Sequence, residues 1–114
     1  MANTYKNTIT AITATGSSEV IYTCPSNATA IVNTIFVYNG AAGTADYTLY
    51  LTDTSATTTA KIYFKSTLAI AATDTVLGSG NVVVLEDSDI LKINTTAQPL
   101  DVTVSVLQIT RACF

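Results

Sequence analysis

The chain carries no histidine, which removes the serine–histidine–aspartate and cysteine–histidine arrangements and the commonest proton shuttle at neutral pH. Catalysis would have to rest on carboxylates or on lysine. A pair of carboxylates can hydrolyse a glycosidic bond, but the acidic side chains here sit mainly in predicted turns. Asp46, on a predicted strand, shares a polar face with Thr48 and Tyr50. The one dense acidic cluster is Glu86-Asp87-Ser88-Asp89. It reads either as an oxygen-rich cation site or as a solvated hairpin turn whose Asp side chains bond nearby backbone amides, and it lacks the loop spacing of an EF-hand. The turn is the reading carried forward, with no catalytic residue, no metal and no cofactor expected.

Sulfur and glycine add little chemistry. Cys24 and Cys113 are too few for a disulfide framework and wrongly spaced for zinc, so buried thiols are expected. A bridge between them requires the second strand and the C-terminal tail to be adjacent. Gly78-Ser79-Gly80 does not lead from a strand into a helix in the manner of a phosphate loop, and reads as a turn. Six tyrosines remain. Alternation places Tyr50 and Tyr63 outward, either packing across strands on an exposed sheet face or touching a partner subunit. The absence of tryptophan weakens a sugar-binding reading.

Charge narrows the partners. The net charge is −3 and charged residues make up 11% of the chain, against about 25% in an ordinary soluble domain. Lys6, Lys61, Lys65, Lys92 and Arg111 are spread along the sequence, so there is no electrostatic footprint for nucleic acid. Residues 1–7 are polar and lack the apolar core of a secretory signal, and no run approaches a membrane span. Synthesis in the cytoplasm, with no membrane partner, is the expectation. Hydrophobic residues at 48% combined with so little charge suit a subunit that hides much of its surface in an assembly.

The elements that position these residues are strands. Threonine fills roughly a fifth of the chain, alternating with apolar residues as a pleated sheet prefers, and no 3.6-residue period appears. A polar N-terminal arm over residues 1–7 is expected, then a single domain over 8–114. A first strand is predicted over 8–14. Val20, Tyr22 and Cys24 then share a face until Pro25 stops the second strand. Residues 28–39 are apolar on both faces, Ile31, Ile35 and Val37 against Val32, Phe36 and Tyr38, which predicts a central strand or one bulged near Asn33. Ala45, Tyr47, Leu49 and Leu51 alternate inward from Asp46, Thr48, Tyr50 and Thr52. A polar loop spans 53–59. Over 61–70, Ile62, Phe64, Leu68 and Ile70 are predicted inward, with Lys61, Tyr63, Lys65 and Thr67 outward. Short strands follow near 75–77, 82–85 and 90–93, the second reached through the Gly78-Ser79-Gly80-Asn81 turn. In the last strand, 100–110, Val102, Val104 and Val106 hold one phase and Leu107 and Ile109 the other, which predicts a bulge near Val106. About eight such strands make an all-β, antiparallel β-sandwich of jelly-roll or immunoglobulin-like topology.

The segment order resembles small structural proteins of tailed bacteriophages, especially those of marine and cyanobacterial phages. The resemblance covers most of the chain and is carried by Val20-Ile21-Tyr22-Thr23-Cys24-Pro25, Ala30-Ile31-Val32-Asn33-Thr34-Ile35-Phe36-Val37-Tyr38-Asn39, Leu85-Glu86-Asp87-Ser88-Asp89-Ile90-Leu91-Lys92-Ile93 and Asp101-Val102-Thr103-Val104-Ser105-Val106-Leu107. Cys24 stands where an ordinary apolar residue is more usual. The resemblance implies a virion protein present in many copies, a capsid decoration or cement protein clamping the major capsid protein, copies of itself, or both. A tail or fibre component that contacts the host surface or carbohydrate is the alternative. Docking is then expected through the arm (Thr4, Tyr5, Lys6), the loop at Gly40, Ala41 and Ala42, the loop at Thr57 and Thr58, and the outward tyrosines Tyr50 and Tyr63.

Overall fold

The computed structural model describes residues 2–77 and 82–110; the expected turn at 78–81, Arg111 and Cys113 lie outside the described residues. The described residues form nine strands: β1 (Ala2–Ile12), β2 (Glu19–Thr23), β3 (Ala28–Asn39), β4 (Ala45–Asp53), β5 (Thr58–Leu68), β6 (Thr73–Leu77), β7 (Val83–Leu85), β8 (Ile90–Thr95) and β9 (Leu100–Thr110). They form two antiparallel sheets. In sheet A the order is β1-β9-β3-β6, and β7 also pairs with β3. β6 meets residues 35–38 of β3 and β7 meets residues 30–32 in the same direction, so the two lie end to end as one interrupted edge strand. Sheet B has the order β2-β8-β4-β5.

This connectivity decides between the two expected topologies. From β1 to β4 each strand changes sheet, β4 and β5 form a hairpin, and the chain then crosses back so that β9 lies between β1 and β3. Two four-position sheets wound in this way make a jelly roll, not an immunoglobulin sandwich.

The core lies between the sheets. Leu100, Val102, Val104 and Val106 of β9, Val32, Ile35 and Val37 of β3, and Leu49, Leu91 and Ile93 of sheet B are all buried. Each such side chain contributes about 1.5–3 kcal/mol through apolar burial. Asn33 is bulged, as its neighbourhood in the sequence predicts: the β3–β9 register shifts between Val32 and Thr34. One extra residue swaps the phase, so Ala28, Ala30 and Val32 face the core before it and Ile35, Val37 and Asn39 after it. β3 is central, yet its second apolar face is not buried, for Phe36 and Tyr38 remain about two-fifths exposed (40% and 39%).

Four further expectations are corrected by register. The segment expected as an arm is the first half of β1, where Ala2–Asn7 pairs with Ser105–Thr110. Backbone hydrogen bonds hold it there while the side chains of residues 3–7 stay exposed, so hydropathy carries no trace of the pairing. In β2 a shift between Val20 and Tyr22 turns Ile21 and Tyr22 both inward and leaves Val20 exposed. In β5 the pairing steps past Ile62, so that Tyr63 turns inward and Phe64 is exposed, and a second shift between Lys65 and Leu68 restores the phase; only Leu68 of the four expected is buried, and Ile70 is exposed in the turn beyond the strand. Finally, β9 has no slip near Val106. Its pairing with β1 is continuous and Gln108 continues the inward phase.

Candidate interaction surfaces

Several carboxylates hold the fold's own backbone and hydroxyl groups. Asp89 is buried, and its two oxygens accept the amides of Thr54 (3.2 Å) and Glu86 (3.0 Å). Asp89 thereby bonds the Glu86 amide within the acidic turn, as the turn reading has it, and also fastens that turn to the Thr54 amide of the β4–β5 loop. Asp46 Oδ1 accepts the Thr67 amide at 2.6 Å. Asp53 accepts the hydroxyl of Ser55 at 2.8 Å and the amides of Ser55 and Ala56, and these bonds, the Ser55 hydroxyl foremost and the Ala56 amide next, hold its carboxyl below its ordinary range. Among the described residues no three His, Cys, Asp or Glu side chains stand close enough to hold a metal.

Polar contacts cross the core on both flanks of the sandwich. On one side, Gln108 of β9 donates through Nε2 to the Tyr22 hydroxyl of β2 at 2.6 Å. On the other, Asp74 Oδ2 of β6 accepts two phenols from sheet B, Tyr47 at 2.5 Å and Tyr63 at 3.1 Å, with the two rings tilted and 6.0 Å apart. Burial, then the bond to Asp74 and its charge, hold Tyr47 and Tyr63 protonated above the ordinary tyrosine range. Burial likewise raises Tyr22. A third polar centre is Asn39, fully buried. Its Nδ2 donates to the carbonyls of Gly43, Leu68 and Ala69 and its Oδ1 accepts the Ala41 amide. Cys24 is buried, with its Sγ 3.5 Å from the Ala28 carbonyl and 3.7 Å from that of Leu85.

The predicted contact residues scatter. Thr4, Tyr5 and Lys6 are exposed on β1, Tyr5 at 82%. Gly40 and Ala42 are exposed, but Ala41 is buried because the Asn39 amide side chain folds the loop around it. Thr57 and Thr58 are exposed where β4 turns into β5. The loops at 40–44 and 54–57 lie at opposite ends of β4 and do not form one surface. Tyr50 points outward on sheet B, flanked across the strands by Lys61 on β5 and Lys92 on β8. Tyr63, expected outward, instead turns toward Tyr47 and Asp74 and is half-buried.

The most apolar exposed surface is one that alternation alone misses. On the outer face of sheet A the register sets Tyr5, Leu107, Ile31 and Val84 side by side across β1, β9, β3 and β7. A second row runs Ile9, Thr103, Phe36, Thr75, and a third Ala11, Asp101, Tyr38, Thr73. Ile9 is 72% exposed and Val84 52%. Among the described residues Asp101 is the only charge on this face. Its signal was present in the sequence, since Leu107 and Ile109 hold the outward phase; an apolar outer face and a bulge produce the same pattern.

Comparison with protein-family models, with curated proteins and with solved structures gives no match.

Proposed function

We propose that this chain is a bacteriophage virion structural protein, a capsid decoration or cement protein that binds the major capsid shell and stabilises it. The observation that supports this reading is the outer face of sheet A. A row of apolar side chains crosses four strands there, with Asp101 the single charge among the described residues of the face, and a domain that works alone in water rarely keeps such a surface open. Jelly rolls recur in viral shells but also frame lectins and cupins, so the weight falls on the surface and not on the fold. The work done is mechanical. Packaged DNA repels itself, and each bound copy adds contact area that resists expansion of the shell, without turnover. In a particle that face is covered by the shell or by a neighbouring copy, and the end loops at 40–44 and 54–57 and the outer face of sheet B offer further contacts.

A tail or fibre component is the second reading, favoured by the Lys92–Tyr50–Lys61 row. An aromatic ring between two cations suits an acidic glycan. A particle reconstruction separates the readings. Density for this jelly roll at regular shell positions supports decoration, density in the tail supports the alternative, and absence of the protein from purified particles overturns both.

A further inference from the structure

We infer that the outer face of sheet A is covered by a second copy of the same chain, giving a twofold dimer with two sheets packed back to back. This rests on the proposed function only in taking the face to be a covered one. Three features of the face argue for a copy of itself.

The first is charge. Among the described residues Asp101 is the one ionised group of this face, which offers little for an oppositely charged partner to recognise, and its best complement is equally apolar and equally neutral. The second is position. Asp101 lies in the row with Ala11 and Tyr38 at one end of the face, while the opposite end carries Asn3, Ile109 and Thr29. A twofold axis through the middle row, at Asn7, Ser105 and Thr34, sets each Asp101 against the end of the other copy that carries Asn3, Ile109 and Thr29, so the two Asp101 carboxylates stay far apart. The third is area. Strands spaced about 4.8 Å and rising about 3.3 Å per residue give four strand positions at the length of β1 and β9 a face of roughly 700 Å². Two such faces bury about 1,400 Å², within the about 1,200–2,000 Å² of stable specific interfaces. Side chains such as Ile9 and Phe36 then interdigitate across a gap of about 10 Å, as inner faces of sandwiches do.

Sedimentation equilibrium of the purified full chain over a concentration series tests this. Twice the chain mass is expected at micromolar concentration. Ile9→Lys, at an exposed edge-strand position, and Ser105→Lys, beside the axis, should each weaken association at least tenfold with an unchanged circular dichroism spectrum, whereas Thr48→Lys on sheet B should leave it intact. A monomer at every concentration that still binds capsids overturns the second-copy partner and leaves the proposed function standing. A monomer that binds no capsid overturns both. A dimer indifferent to Ile9→Lys and Ser105→Lys places the contact elsewhere and overturns the inference.

Discussion

The Tyr47 hydroxyl of β4 donates to Asp74 Oδ2 of β6 at 2.5 Å, tying sheet B to sheet A at the flank where β5 and β6 would otherwise part. Tyr63 adds a second phenol to the same oxygen. Asp74→Ala removes the acceptor from two part-buried hydroxyls and should cost about 2–3 kcal/mol. Asp74→Asn keeps one accepting oxygen and should cost less. Urea denaturation midpoints of the two variants check the order, and equal losses would count against the contact.

The same clasp makes stability depend on alkaline pH. Tyr47 and Tyr63 have raised pKa values in the folded chain, while in the unfolded chain tyrosine ionises near pH 10. Below that pH both states hold the protons and the contribution is whole. Above it the unfolded chain releases protons that the folded chain retains, so stability falls as pH rises. Denaturation midpoints between about pH 8 and 11 should decline at the upper end, and the decline should shrink in Asp74→Ala. A midpoint that is flat or rising across this window would contradict the arrangement.

Asn39 is the buried polar residue with the most to lose. Three carbonyls face its Nδ2, so Asn39→Asp would put an anionic oxygen against carbonyl oxygens in a fully buried site. A loss of about 3 kcal/mol or more is expected, and no smaller than that of Asn39→Ala. Thermal unfolding by circular dichroism measures it. If the Asn39→Asp variant were as stable as the parent, the amide would not be what holds the 40–44 loop.

What the sequence makes legible is what alternation governs. Ala45, Tyr47 and Leu49 face inward as their spacing demands, and the apolar residues on both sides of Asn33 announce a bulge that the register contains. What it hides comes from pairing. The bulge at Ile62 inverts Tyr63 and Phe64 without any mark in residue type. The pairing of Ala2–Asn7 rests on backbone groups alone, and Leu107 with Ile109 looks like a phase slip when it is one edge of an apolar outer face. The Tyr47–Asp74 contact joins residues on different sheets, so no local pattern foretells it. The acidic turn is readable in its local part, the Asp89 bond to the Glu86 amide three residues away, whereas its bond to Thr54 of another loop is not.

If this jelly roll acts by binding a capsid shell, the purified chain should co-sediment with empty, fully expanded shells. Binding is expected to saturate at a fixed number of copies per shell, set by the shell's symmetry, and saturated shells should resist heating better than bare ones. A chain that stays in the supernatant at every concentration would contradict the proposed function.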